Sequence, residues 1–130
     1  MPKLLGIDHL AITVSDLDAS IVFYSQLWDT EPVGWLSGEG LKRRMFQLPS
    51  GTMIGLTVHD AGTSGEFNAY SPGMDHLGFG VASLSDLHEW VAHLDSVGIA
   101  HSGVIEADYG HALSVKDPDG TALEFFVPGS

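Results

Sequence analysis

The sequence predicts an α+β fold built from two copies of one βαβββ unit. Three observations carry this. Asp8, His9, Leu10, Val14, Leu17 and Leu27 recur, at one fixed offset, as Asp75, His76, Leu77, Val81, Leu84 and Leu94. In each copy an alternating apolar stretch is followed by apolar residues three and four apart, the periods of a strand and then a helix. Pro49-Ser50-Gly51-Thr52 returns as Pro118-Asp119-Gly120-Thr121, a turn signal late in each copy, after two inserted residues.

The elements follow in order. IDHLAITV, residues 7–14, alternates and is rich in β-formers, so it reads as a strand. SDLDASIVFYSQLW follows, with Leu17, Ile21, Tyr24 and Trp28 on one helical face and Ser15, Asp16 and Asp18 as candidate N-caps. LKRRMFQL and TMIGLTV read as strands joined by the turn LPSG. In the second copy DHLGFGV is a strand. SLSDLHEWVAHLDSVG is a helix capped by Ser83 or Ser85, burying Leu84, Leu87, Val91 and Leu94 and stopped by Gly98. HALSVKDPDGTALEFFV reads as a hairpin around DPDG, and a short extra strand fits near 31–36 and 99–105. The expected organisation is a single domain, 1–130, with module one at 5–60, a linker rich in Gly, Ser and Pro at 61–72, and module two at 73–128.

Composition bounds the function. Seventeen acidic residues face five Lys and Arg, for a formal charge of −12. Such a surface repels phosphate backbones and anionic bilayers, so neither nucleic acid nor membrane is an expected partner. No apolar run approaches the roughly 18 residues that span a bilayer, and MPKLLGIDHL lacks the apolar core of a signal peptide. There is no cysteine, hence no disulfide framework or thiolate chemistry, and a cytoplasmic location is expected. Three of the five cations stand together as Lys42, Arg43 and Arg44. Such a spot is either a solvated strand face or a seat for an anionic group of a substrate.

Strand alternation then sorts side chains by face. Leu10, Ile12 and Val14 point to the helix, which leaves His9, Ala11 and Thr13 opposite. Leu77, Phe79 and Val81 leave His76, Gly78 and Gly80. Leu123, Phe125 and Val127 leave Ala122, Glu124 and Phe126. The face away from the helices therefore carries His9, His76 and Glu124 among small residues. A carboxylate inside ALEFF is paired or metal-bound when buried. Two imidazoles and one carboxylate with open positions suit a divalent transition metal. The plainer alternative is hydrogen-bonded histidines and a Glu124 paired with Arg or His. The Asp before each His falls on the opposite face by alternation, a turn residue rather than a ligand.

DHLAITVSDLDASIVFYSQL, MDHLGFGV and KDPDGTALEFF resemble the vicinal oxygen chelate superfamily, which includes glyoxalase I, extradiol dioxygenases, fosfomycin-resistance proteins and bleomycin-binding proteins. The resemblance covers essentially the whole chain. It implies two βαβββ modules forming a curled mixed sheet around a central cup. Metal-bearing members draw ligands from the first and last strand of each module, positions matched here by His9, Gly55, His76 and Glu124. Glycine cannot ligate, so the glyoxalase pattern is broken. The two His and one Glu resemble the extradiol dioxygenase set, although Ser114 stands where that group carries a Tyr. The implied cofactor is one divalent metal ion, Fe(II) favoured by the ligand set, with Zn, Ni or Mn as alternatives. The substrate is then a small molecule with vicinal oxygens, and His59 is the candidate for proton transfer. Arg43, Met45, Thr57 and Ser114 are candidate substrate contacts lining the cup. The competing readings are a glyoxalase-like lyase or isomerase and a metal-free drug- or metabolite-binding protein of the same fold. A homodimer is expected, because a two-module chain leaves sheet edges to cover.

Overall fold

A computed structural model describes residues 2–129, and positions 1 and 130 of the expected single domain lie outside the described residues. The chain divides into two compact units, one running to Gly65 and the other starting at Glu66. The first holds β1 (His9–Thr13), α1 (Leu17–Trp28), β2 (Gly34–Gly38), β3 (Leu41–Gln47) and β4 (Met53–His59). The second holds β5 (Leu77–Gly80), α2 (Leu84–Val97), β6 (Val104–Ala107), β7 (Gly110–Lys116) and β8 (Ala122–Pro128). Both are βαβββ. Each forms its own open four-stranded mixed sheet, ordered β1-β4-β3-β2 and β5-β8-β7-β6. In each, the first and last strands pair in parallel and the other pairs are antiparallel.

The helices begin and end where local chemistry directs. Asp16 caps α1 by accepting from the Ala19 amide at 3.1 Å, and Ser83 caps α2 by accepting from the Asp86 amide at 3.1 Å. Gly98 ends α2 at φ 74°, a left-handed conformation that costs glycine little. The buried stripe of α1 is Ser20, Tyr24 and Leu27, one step round from the predicted face, with Leu17, Ile21 and Trp28 half-buried. On α2, Leu87 and Leu94 are buried as predicted, whereas Leu84 at the first turn is exposed.

Each helix packs on one side of its own sheet through aromatic contacts. Trp28 meets Phe46 at 5.3 Å, and Trp90 stacks on Phe125 at 4.4 Å. The sheet residues on these sides are Ile12, Phe46, Ile54 and Leu56 in the first unit, and Leu113, Val115, Leu123, Phe125 and Val127 in the second. All are buried. The short strands start later than predicted, at Gly34 and Val104. Before β6 the chain is still closing the helix: the Ile99 amide donates to the Leu94 carbonyl, and His101 is bonded to Asp95. Before β2, Pro32 has no amide to donate to a ladder. The DPDG turn is fixed by buried Asp117, whose Oδ1 accepts from the amides of Asp119 and Thr121, each at 2.9 Å.

Candidate functional site

Strand pairing sets which side chains share a face. In the first unit His9 pairs with Met53, Ala11 with Gly55 and Thr13 with Thr57, while Arg43 pairs with Thr57 and Met45 with Gly55. Paired residues point the same way. His9, Thr13, Arg43, Met45, Thr57 and His59 therefore lie on the side of the sheet away from α1. In the second unit Gly78 and Ser114 both pair with Glu124, which puts them on the side away from α2.

His76 and Glu124 come together. His76 Nε2 lies 3.9 Å from Glu124 Oε1, and the Glu124 side chain is 25% exposed. Glu124 extends over Gly78, where a Cβ would lie 3.9 Å from its Oε1. A single ion with bonds of about 2.0–2.2 Å to nitrogen and oxygen spans a gap of this size, so the two donors fit a metal in spacing and chemistry. Among the described residues no group of three or more His, Cys, Asp or Glu is gathered within ligating reach.

The aspartates before the two histidines do not point away. Asp8 Oδ2 lies 2.7 Å from His9 Nδ1, and Asp75 Oδ1 lies 2.7 Å from His76 Nδ1. Alternation fails here because Asp8 and Asp75 precede their strands and are free of the pleat. An ionised carboxylate only accepts, so Nδ1 carries the proton and Nε2 presents its lone pair. The same arrangement stands in both units. It is the orientation that carboxylates impose on metal-ligating histidines. The repeated Asp-His pair was the available signal. The His76 pKa is raised from its ordinary value of 6.5, chiefly by the bond to Asp75 and next by the negative charge of Glu124, against a lowering by burial.

His101 is built the other way. Its Nδ1 accepts from the Gly103 amide at 2.9 Å and its Nε2 donates to Asp95 at 2.7 Å. Both ring nitrogens are used, and this histidine ties α2 to the loop before β6. His59 is exposed at the end of β4, with Nε2 3.5 Å from Thr13 Oγ1.

Gly55 has no side chain, and its place is covered. A Cβ there would stand 2.6 Å from Arg43 Cδ, 2.9 Å from Arg43 Cγ and 3.2 Å from Met45 Sδ. Arg43 Nε donates to Thr57 Oγ1 at 2.8 Å. Arg44, on the other face, lies 4.5 Å above the Trp35 ring. Ser114 is held through its backbone, which exchanges bonds with Ser102. Tyr109, near the place of the missing dioxygenase Tyr, is 73% exposed and stacks on Phe126 at 5.9 Å.

Among the described residues no helix is long and apolar enough to cross a membrane. Comparison with known proteins agrees with the fold. A protein from Frankia sp. EAN1pec, described as a glyoxylase/bleomycin resistance protein/dioxygenase domain, is 33% identical with a TM-score of 0.89, over 98% of this chain and 95% of that one. The fosfomycin resistance protein FosX of Listeria monocytogenes shares the fold at 17% identity and a TM-score of 0.75, over 98% and 96% of the two chains. Another FosX structure holds Mn(II) and a dihydroxypropylphosphonic acid. The chain is also 31% identical to the cadmium-induced protein CadI of Mycobacterium tuberculosis over 91 residues. That match takes in 70% of this chain but spans only about half the length of the curated relative, 53%. The sequence model of the Glyoxalase/Bleomycin resistance protein/Dioxygenase superfamily matches residues 6–125, and the chain belongs to that superfamily.

Proposed function

We propose that this protein is a divalent-metal-dependent enzyme acting on a small substrate with two vicinal oxygens. His76, Glu124 and His9 are the ligands. The observation that carries the reading is the pair of Asp-held imidazoles, one at the head of each unit, with the Nε2 of His76 turned toward Glu124. The His₂-carboxylate set favours Fe(II), with Zn, Ni and Mn as alternatives. When bound, the metal supplies a Lewis acid for the substrate oxygens. Asp8 and Asp75 keep each imidazole in the tautomer that presents Nε2. Glu124 adds negative charge where a cation is to sit, and Gly78 leaves that place open. Met45, Thr57, Arg43 and Ser114 contact substrate. His59 moves a proton between substrate and solvent, with its Nε2 steadied by the Thr13 hydroxyl.

The protein works as a homodimer. Leu4, Leu5, Ile7, Val33, Trp35 and Leu36 are all exposed in the first unit, apolar surface that a second copy covers. Light scattering on untagged protein checks this, and a monomer at working concentration counts against it. The second reading, a metal-free binding protein, is favoured by the absence of a gathered three-residue ligand group among the described residues.

Elemental analysis of untagged protein separates the two. Near one equivalent of a transition metal in wild type, largely lost in His76→Ala and in His9→Ala, supports the enzyme. Loss of one ligand weakens binding by several kcal/mol on the scale of protein metal sites. Full metal content in either variant removes that residue from the ligand set. No metal uptake after anaerobic reconstitution leaves the binding protein.

A further inference from the structure

We infer that the sheet face carrying His9 holds a dedicated oxyanion seat made by Arg43 and Thr57 over Gly55, so that the substrate bears a carboxylate, phosphonate or phosphate group. The inference rests on reading this face as the side that meets substrate.

Acids outnumber Lys and Arg by 17 to 5, so an arginine here has many possible carboxylate partners. Among the described residues no ion pair joins Arg43 to a carboxylate. Its Nε donates to a neutral hydroxyl, that of Thr57. Arg43 is half-buried and Thr57 is buried, and no carboxylate is paired with the guanidinium. Its two cationic neighbours in sequence are disposed differently. Lys42 is exposed, and Arg44 lies over Trp35. Of the three, only Arg43 is on the face of His9.

The geometry is specific. The Arg43 stem lies so close over Gly55 that any Cβ would collide with it. Glycine at this position therefore gives the arginine its path across the strand. The bond from Nε to Thr57 then fixes the plane of the guanidinium and leaves the two terminal nitrogens as a fork. A fork of four N–H groups matches two oxygens of an oxyanion, which a lysine ammonium at the same place would not. Ala11, the β1 neighbour of Gly55, adds no bulk. The space that a side chain at position 55 would fill is thus taken by the stem of a cationic residue, and a positive charge beside it favours an anion over a metal.

The test uses the full chain with metal removed by chelation and dialysis, so that the metal site plays no part. Acetate and methylphosphonate are titrated separately, with chloride as the control, while the Arg Nε–Hε resonances are followed by NMR. Saturable shifts of the Arg43 resonance with one or both oxyanions, and none with chloride, are expected. Which probe binds more tightly tells carboxylate from phosphonate. Arg43→Met should weaken binding about tenfold or more, and Arg43→Lys should restore it only in part. Thr57→Val, which keeps the cation but frees its plane, should weaken it several-fold and serves if Arg43→Met does not fold. Unchanged affinity in Arg43→Met and Thr57→Val, or no saturable shift in wild type with either oxyanion, overturns the proposal. His76→Ala should bind the oxyanions as wild type does. Wild-type protein that takes up no metal yet binds the oxyanions therefore sinks the metalloenzyme reading alone, and metal uptake without oxyanion binding sinks only this one.

Discussion

At the scale of single residues, the two Asp-His pairs matter for orientation more than for stability. The side chains of Asp8 and Asp75 are 91% and 76% exposed, and exposed pairs contribute little to folding. What they fix is the ring. In metal-free protein the His76 pKa lies above 6.5, with the bond to Asp75 as the main cause. The stability this gives is fully present below the unfolded value of about 6.5 and is lost as pH rises through the folded midpoint. An NMR titration of the ring should place the wild-type midpoint above 6.5, and Asp75→Asn should bring it down. An unmoved midpoint would mean that Asp75 does not hold the ring. The same variant should weaken metal binding about tenfold or more, measured by competition with a chelator. Gly55→Ala tests a different contact. The added methyl must push Arg43 off its path, and the Arg43 Nε–Thr57 bond should break, visible as a shift of the Nε–Hε resonance.

Elements respond to the packing beneath them. Leu94 is fully buried on α2, so Leu94→Ala should cost about 2–5 kcal/mol in chemical denaturation. Ser83→Ala removes the cap bond to the Asp86 amide and should cost about 1 kcal/mol. Gly110 has φ 154°, and a Cβ there would meet the Val127 carbonyl oxygen. Gly110→Ala should therefore disturb the β7–β8 pairing more than either the geometry of β7 or its exposure would suggest, and amide exchange along β8 reads it directly. Strand faces were fully legible in sequence: Leu123, Phe125 and Val127 are buried, and Glu124 and Phe126 lie on the other side. Helix faces were less so. Ser20 is buried where the apolar pattern favoured Ile21, because sheet contacts choose among faces that periodicity leaves almost equivalent.

For the whole molecule, the excess of acid is the dominant electrostatic fact. With a formal charge of −12, self-repulsion opposes folding. Raising ionic strength from near zero to about 0.15 M, where the Debye length is about 8 Å, should raise Tm. A falling Tm would show that attractive pairs outweigh the repulsion. The same excess makes an unpaired Arg43 conspicuous.

Some of this was decided by sequence alone. The duplicated Asp-His-Leu, the PSGT and PDGT turns and the two hydrophobic periods determined a pair of βαβββ modules. Alternation then determined that His9 and Glu124 lie on the strand faces turned away from the helices. These properties depend only on backbone periods and turn chemistry, which the local chain carries with it. The tertiary structure decided what reaches what. Asp8 and Asp75 turn back onto their own histidines because they lie outside the strands. Arg43 crosses Gly55 because β3 and β4 pair in one register, which sets Met45 against Gly55 and Arg43 against Thr57. A pattern of periods assigns a side chain to a face, but its neighbours across the sheet are fixed only when the strands pair.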